Sequence, residues 1–337
     1  MNRRTFILRG SSTVALLAAM VPASAATTRP AGDEVLGHGA FRYRADRFWG
    51  TLDPLQHPVE DCHAVVEDNS GRIIILTNDT HNNLLGYTKS GRLLSAWEHR
   101  FPAAHGLEHS IMGGEERLWI TDHDRQVVSL CTLEGREIRR LEAAVVAKPY
   151  ANMGDYHPTN VAVMPDGDFY VADGYGADYV HHVDPDWQYM GSFGGTGENP
   201  EHMNCPHAVW HDQRPGRPPL LVCDRGNGML KWLSVEGKLE KVLSLPGSLP
   251  SNVALLGDHL VVASLNAMVL VLDAHDRVVS AIGGLPPVYE GNDLKPLRVY
   301  NHALCHPHDV HVDDKSDMYI PQWDSNHTYP VKLTRIV

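Results

Sequence analysis

Six times along this chain of 337 residues, a short apolar run opens on the same kind of position. Four of the openings carry histidine: Cys62-His63-Ala64-Val65, Ala104-His105-Gly106-Leu107, Pro206-His207-Ala208-Val209 and Pro307-His308-Asp309-Val310. Two carry a hydroxyl instead: Pro158-Thr159-Asn160-Val161 and Pro250-Ser251-Asn252-Val253. The slot thus falls at 63, 105, 159, 207, 251 and 308, at intervals of 42, 54, 48, 44 and 57 residues. A period near fifty marks a repeat architecture in which no unit buries its apolar face alone.

Each slot begins a similar phrase. In the third repeat, Thr159 to Val163 alternates, Pro165-Asp166-Gly167-Asp168 turns, and Phe169 to Tyr175 forms a second run. A third run follows, and Tyr189 to Gly194 closes the unit. The first repeat matches through His63–Val66, Ile73–Thr77, Leu85–Tyr87 and Leu93–Trp97. Strand, hairpin turn, strand, turn, strand, turn, strand is the pattern of a propeller blade. No window after the N-terminal segment has helical periodicity. The expected fold is all-β: a six-bladed β-propeller spanning residues 60–337. The sixth repeat runs out near Leu333 with three strands, and Phe41-Arg42-Tyr43-Arg44-Ala45-Asp46-Arg47-Phe48-Trp49 reads as a missing fourth. Pairing of this strand, within the segment 26–59, against the last blade would close the ring and leave no open edge.

The chain begins with a different kind of segment. Arg3-Arg4-Thr5-Phe6-Ile7-Leu8 is a twin-arginine pattern, Val14–Val21 an apolar core, and Ala23-Ser24-Ala25 a small-residue cleavage site. Residues 1–25 are therefore expected to be a signal peptide for the twin-arginine export machinery, delivering a folded protein to the bacterial periplasm or beyond. No stretch is long and apolar enough to be expected to span a bilayer as a helix. A formal charge of −12 excludes the basic face that nucleic acid requires. Five cysteines, at 62, 131, 205, 223 and 305, form an odd and irregular set, so no disulfide framework is expected. Cys62, Cys205 and Cys305 precede slot histidines at three different offsets, which suits small buried side chains better than equivalent metal ligands.

The first strand of a blade lies nearest the propeller axis, so slot residues form a ring around the channel. His105, His207 and His308 come from alternate blades and stand about 120° apart in such a ring. Three neutral imidazoles converging on one point, with a fourth position open, describe a catalytic zinc-type site. The other reading of these histidines is burial with hydrogen bonds to neighbouring backbone. His63 breaks the threefold rule; it reads as a fourth ligand, a proton-transfer residue, or a histidine that merely lines the channel. The segments Asp173-Gly174-Tyr175 and Asp224-Arg225-Gly226 end second strands, where loops rim one mouth. There Tyr175 is a candidate base and Arg225 a candidate carboxylate clamp.

These motifs resemble the NHL-type six-bladed propellers, and more narrowly the peptidyl-α-hydroxyglycine α-amidating lyases. The likeness is clearest from Tyr156 to Leu233 and covers most of residues 60–334. It implies zinc on His105, His207 and His308, Tyr175 as base and Arg225 in the site. It further implies a structural calcium on Asp309 with the backbone carbonyls of Val65 and Leu107. The implied reaction splits a carbinolamide into an amide and glyoxylate, with a small-molecule or peptide substrate in the central channel. Two features depart from the family. An arginine expected after the second strand of blade one is missing from Leu76-Thr77-Asn78-Asp79-Thr80-His81-Asn82, and the family's disulfide cysteines are replaced. Two other functions fit the same frame: hydrolysis of a lactone or ester by a metal-activated water, and non-catalytic binding of a protein or glycan on one propeller face.

Overall fold

The structure is a computed structural model that describes residues 34–336, except 99, 198, 302, 325, 326 and 328. The twin-arginine pattern and its cleavage site lie outside the described residues. Among the described residues, five antiparallel sheets of four strands follow one another along the chain, a sheet of five strands joins its two ends, and a small two-stranded ribbon pairs Tyr289–Glu290 with Asp293–Leu294. The first blade comprises Cys62–Glu67, Ile73–Thr77, Leu84–Tyr87 and Leu93–Trp97, within a residue of the strands expected from sequence. Among the described residues the helical segments are three 3₁₀ turns of three or four residues. No helix among the described residues is long and apolar enough to cross a membrane.

Burial explains which strand is which. Second strands such as Ile73–Thr77 and third strands such as Met268–Leu272 are buried at every position, because both faces of a blade meet a neighbouring blade. Fourth strands such as Leu239–Ser244 alternate between half-buried and exposed, as an outer edge does. The hairpin at Pro165–Asp168 needs a left-handed residue, and Gly167 supplies it at φ +95°. Six apolar clusters lie between successive blades, and one of them joins the last to the first. There Tyr319 and Tyr329 pack with Trp49, Val65, Ile75 and Tyr87.

Closure takes the expected form and adds to it. Phe41–Asp46 pairs antiparallel with the C-terminal strand Val331–Arg335, in a register that sets Tyr43 against Arg335 and Ala45 against Leu333. The strand ends at Asp46, earlier than the apolar pattern through Trp49 suggested, since Asp46 accepts the amide of Phe48 and turns the chain. A fifth strand, Val35–His38, extends the same sheet outside it. The sixth blade is thus built from both ends of the chain. All five cysteines are free.

Candidate metal centre

A local defect in pairing carries each slot. In blades one, two, four and five the register shifts at the slot: between Cys62 and Ala64, Ala104 and Leu107, Pro206 and Ala208, and Pro250 and Asn252. A bulged residue leaves the ladder, and its side chain is re-aimed. Thr159 and His308 hold the same place just ahead of their ladders. Gly106 follows His105 because a Cβ there would stand 2.5 Å from the Thr159 carbonyl oxygen.

The slots bring four imidazoles to one point. Ring centroids lie 4.7 Å apart for His105 and His207, 4.6 Å for His105 and His308, and 4.6 Å for His207 and His308. His63 joins them at 5.0 Å from His105 and 4.7 Å from His308. All four are at most 4% exposed. Ring nitrogens of His63, His105 and His308 come within 4.8 Å of one another. The rings of the expected trio thus lie side by side, but the three whose nitrogens draw together include the expected outlier His63 in place of His207.

Alternation of the slots has a physical basis that spacing alone did not reveal. His105 Nδ1 bonds the Thr159 carbonyl, His207 Nδ1 the Ser251 carbonyl and His308 Nδ1 the His63 carbonyl, each over 2.7 Å. A carbonyl accepts only, so Nδ1 carries the proton in all three and Nε2 keeps its lone pair. Odd-numbered blades thus orient the imidazoles that even-numbered blades contribute. This is the outer-shell arrangement of metal-bound histidines. Burial, followed by the neighbouring positive charge of other imidazoles or Arg225, holds these three histidines well below their ordinary pKa. They are neutral near pH 7, as ligands must be.

Two buried nitrogens in this ring have no hydrogen-bond partner, His308 Nε2 and His63 Nδ1. Buried polar atoms are rarely orphaned without a functional reason. The cavity among the four rings measures about 10 Å³, close to the room needed by a single water or ion. Donor chemistry, orientation and space all fit a divalent transition metal.

Tyr175 and Arg225 reach the same point from turns of matching design. The carboxylate of Asp173, at the end of a second strand, accepts from the His157 and Ala177 amides and from the Tyr150 hydroxyl, and so anchors the Tyr175 turn. Burial pushes Asp173 up to about 6. One blade on, Asp224 accepts from the Asn204 amide and Asn227 side chain and pairs with buried Lys231 at 2.7 Å. The Tyr175 hydroxyl lies 3.0 Å from His105 Nε2 and 3.4 Å from His207 Nε2. Arg225 Nη1 donates to that hydroxyl at 3.5 Å, and its guanidinium lies 5.3 Å from the ring centroid. Burial raises the pKa of Tyr175, and Arg225 opposes the rise.

A histidine that sequence reasoning passed over stands beside them. His123 follows Asp122 as Arg225 follows Asp224, and its ring lies 5.4 Å from Tyr175 and 5.8 Å from His105. His123 pairs with Asp124 at 2.9 Å, and His157 Nδ1 bonds its carbonyl. The recurring aspartate at the ends of second strands was the signal. The corresponding turn of blade one holds no cation over the centre; Asn78 bonds Asp61, and Asp79 bonds His81.

Farther along the same first strands lies a cavity of about 340 Å³ lined by Val65, Leu107, Glu108, Asn252 and Asp309 among others. The three residues expected at a calcium site thus share one cavity. Asp309 accepts the Val65 amide at 2.9 Å, so Val65 contributes its N–H there. Glu108, unremarked in the sequence, adds a second carboxyl. Burial pushes Asp309 up to about 7 and Glu108 up to about 8, the latter aided by Asp309.

Comparison with known proteins agrees with this frame. No family model matches the chain. The human NHL repeat-containing protein 3 is 26% identical over 294 residues, covering 81% of this chain and 79% of that protein. Among solved structures, a streptogramin B lyase superposes with a TM-score of 0.56 at 12% identity, over 88% of this chain and 99% of that one. The virginiamycin B lyase from Staphylococcus aureus superposes with a TM-score of 0.54 at 13% identity, over 83% and 98%. At such identities these two likenesses speak for the fold alone. The chain is thus folded as a six-bladed β-propeller and is similar in sequence to an NHL repeat-containing protein.

Proposed function

We propose that this protein is a metal-dependent lyase of the amidating-lyase type, cleaving the C–N bond of a carbinolamide. One observation carries the reading: three Nδ1-tethered imidazoles leave Nε2 unprotonated, and the Tyr175 hydroxyl lies within 3.4 Å of two of these nitrogens. His105, His207 and His308 would hold zinc or a similar divalent transition metal. When bound, such an ion supplies a Lewis acid that makes a nearby hydroxyl easier to deprotonate.

The chain's own residues do the rest. Arg225, at the rim, clamps the substrate carboxylate. Tyr175 takes the proton from the carbinol hydroxyl. The C–O bond becomes a carbonyl, the C–N bond breaks, and its electron pair leaves on the amide nitrogen, which takes a proton back from Tyr175. The products are an amide and glyoxylate. Burial raises the Tyr175 pKa while Arg225 lowers it, so this base works at neutral pH only with further positive charge beside it. That requirement ties base and ion to one site. Asp309, with the oxygens around it, would take calcium in the second cavity, where a divalent cation would relieve the buried Asp309 carboxyl and the half-buried Glu108. The twin-arginine segment supports action in the bacterial envelope after export.

The test is release of glyoxylate from an α-hydroxyglycine peptide by metal-replete protein. Activity should fall about 10²-fold or more in Tyr175→Phe while bound metal is retained. Turnover of lactones with Tyr175→Phe nearly neutral would replace the lyase with a hydrolase. Metal-free protein inert to both substrates would leave a binding propeller.

A further inference from the structure

We propose that His63 is a fourth metal-ligating imidazole, making the channel a four-histidine centre for a divalent metal with five or six coordination positions. The inference rests on the metal reading above and extends it to a residue outside the threefold set.

The other odd-numbered slots, Thr159 and Ser251, each have two jobs. Their carbonyls orient the imidazole of the preceding blade. Their hydroxyls bond backbone carbonyls in their own and the following blade: Thr159 to Ala172 and Pro206, Ser251 to Ala263 and Pro307. His63 keeps the first job, through the His308 bond. It has dropped the second. Its Nδ1 is buried without a partner, although the residue is only 4% exposed. Exchanging a hydroxyl for an imidazole here forfeits a buried hydrogen bond and strands a polar atom, a net loss unless the ring serves something else.

Geometry supplies that role. A bulge between Cys62 and Ala64 displaces His63 from its ladder, as bulges displace His105 and His207. Its ring stands 4.7 Å from His308 and 5.0 Å from His105, and nitrogens of these three approach within 4.8 Å. His308 Nε2, the other orphaned nitrogen, belongs to the same group. One ion between them satisfies both at once.

A fourth imidazole changes which metals leave room for substrate. Four ligands complete the tetrahedron that zinc prefers. Iron(II), cobalt(II) and nickel(II) accept imidazole readily and take further ligands. The centre therefore suits such an ion, with its remaining positions toward Tyr175.

The test loads metal-free protein with cobalt(II). His63→Thr is the variant, because it restores the side chain of the equivalent slot at 159 and keeps the carbonyl that holds His308. A melting curve confirms that it folds. X-ray absorption should count four imidazoles in the parent and three in His63→Thr. Visible absorption should change from the weak bands of five- or six-coordinate cobalt to the intense band of tetrahedral cobalt. Affinity should fall about tenfold or more, since even residues behind the ligands have effects of that size. Equal imidazole counts and equal affinity in the two proteins overturn the role of His63 and leave the three-histidine centre standing. Parent protein that binds neither cobalt nor zinc overturns the metal reading itself, and this inference with it.

Discussion

The imidazole of His308 donates its Nδ1 proton to the backbone carbonyl of His63 over 2.7 Å, across 245 residues of chain. Two more bonds of the same length repeat it, from His105 to Thr159 and from His207 to Ser251. Each holds one tautomer and aims one lone pair at the axis.

Removing one of these imidazoles should empty the centre. Protein purified without added metal is expected to carry about one transition-metal ion per chain, and His207→Ala close to none. Elemental analysis reads the result. Full occupancy in the variant would remove His207 from the ligand set.

Acid should destabilise the fold through its buried neutral histidines. His181 is wholly buried between the Tyr150 hydroxyl and the Ser192 hydroxyl, and burial lowers its pKa to about 3. Below pH 6.5 the unfolded chain takes up a proton at this position that the native state refuses. Stability therefore falls as pH drops from 6.5 toward 3, by about 1.4 kcal/mol per pH unit for this one group. Urea midpoints measured across that window should decline less steeply in His181→Gln than in the parent. Parallel declines would mean that His181 is protonated in the native state.

The pair beneath Arg225 should be sensitive to loss of one partner. Lys231 and Asp224 are almost completely buried and lie 2.7 Å apart. Lys231→Met leaves the carboxylate unpaired, and a cost of about 3–5 kcal/mol is expected in chemical denaturation. Metal content should survive, because the histidine tethers do not involve this turn. An unchanged denaturation midpoint would show that other donors hold Asp224 unaided.

Tyr43 tests the seal. It is fully buried in the closing strand, opposite Arg335. Tyr43→Ala should cost about 3 kcal/mol or more, in the range of other large core truncations. A neutral substitution would mean that the N-terminal strand contributes little to the ring.

The architecture was legible because its signal is repeated. One slot proves nothing, but six at a period near fifty, each followed by alternating runs, leave few folds. The threefold histidine set was legible for the same reason, since blade number converts to angle. What stayed hidden depends on backbone. The carbonyls of His63, Thr159 and Ser251 leave no mark in side-chain identity. His123 was missed because its blade reads Asp122-His123 where others read Asp173-Gly174 or Asp224-Arg225, so only superposed turns reveal the match. Glu108 was missed because it lies at an ordinary strand position, and its closeness to Asp309 comes from the ring. The fifth strand at Val35–His38 is four residues long, too short for alternation to announce it.

The sixth blade has a consequence for how the protein is made. Every ring histidine lies upstream of Val331–Arg335, so a ribosome has already delivered the last of them before the final strand emerges. Yet the carbonyl that aims His308 belongs to His63 in the first blade, so this contact depends on the last blade meeting the first, where the C-terminal strand pairs with Phe41–Asp46. A chain whose ends stay apart carries all the imidazoles and can form the tethers of His105 and His207, but not that of His308. Full orientation of the histidine ring thus reports that the first and last strands have found each other.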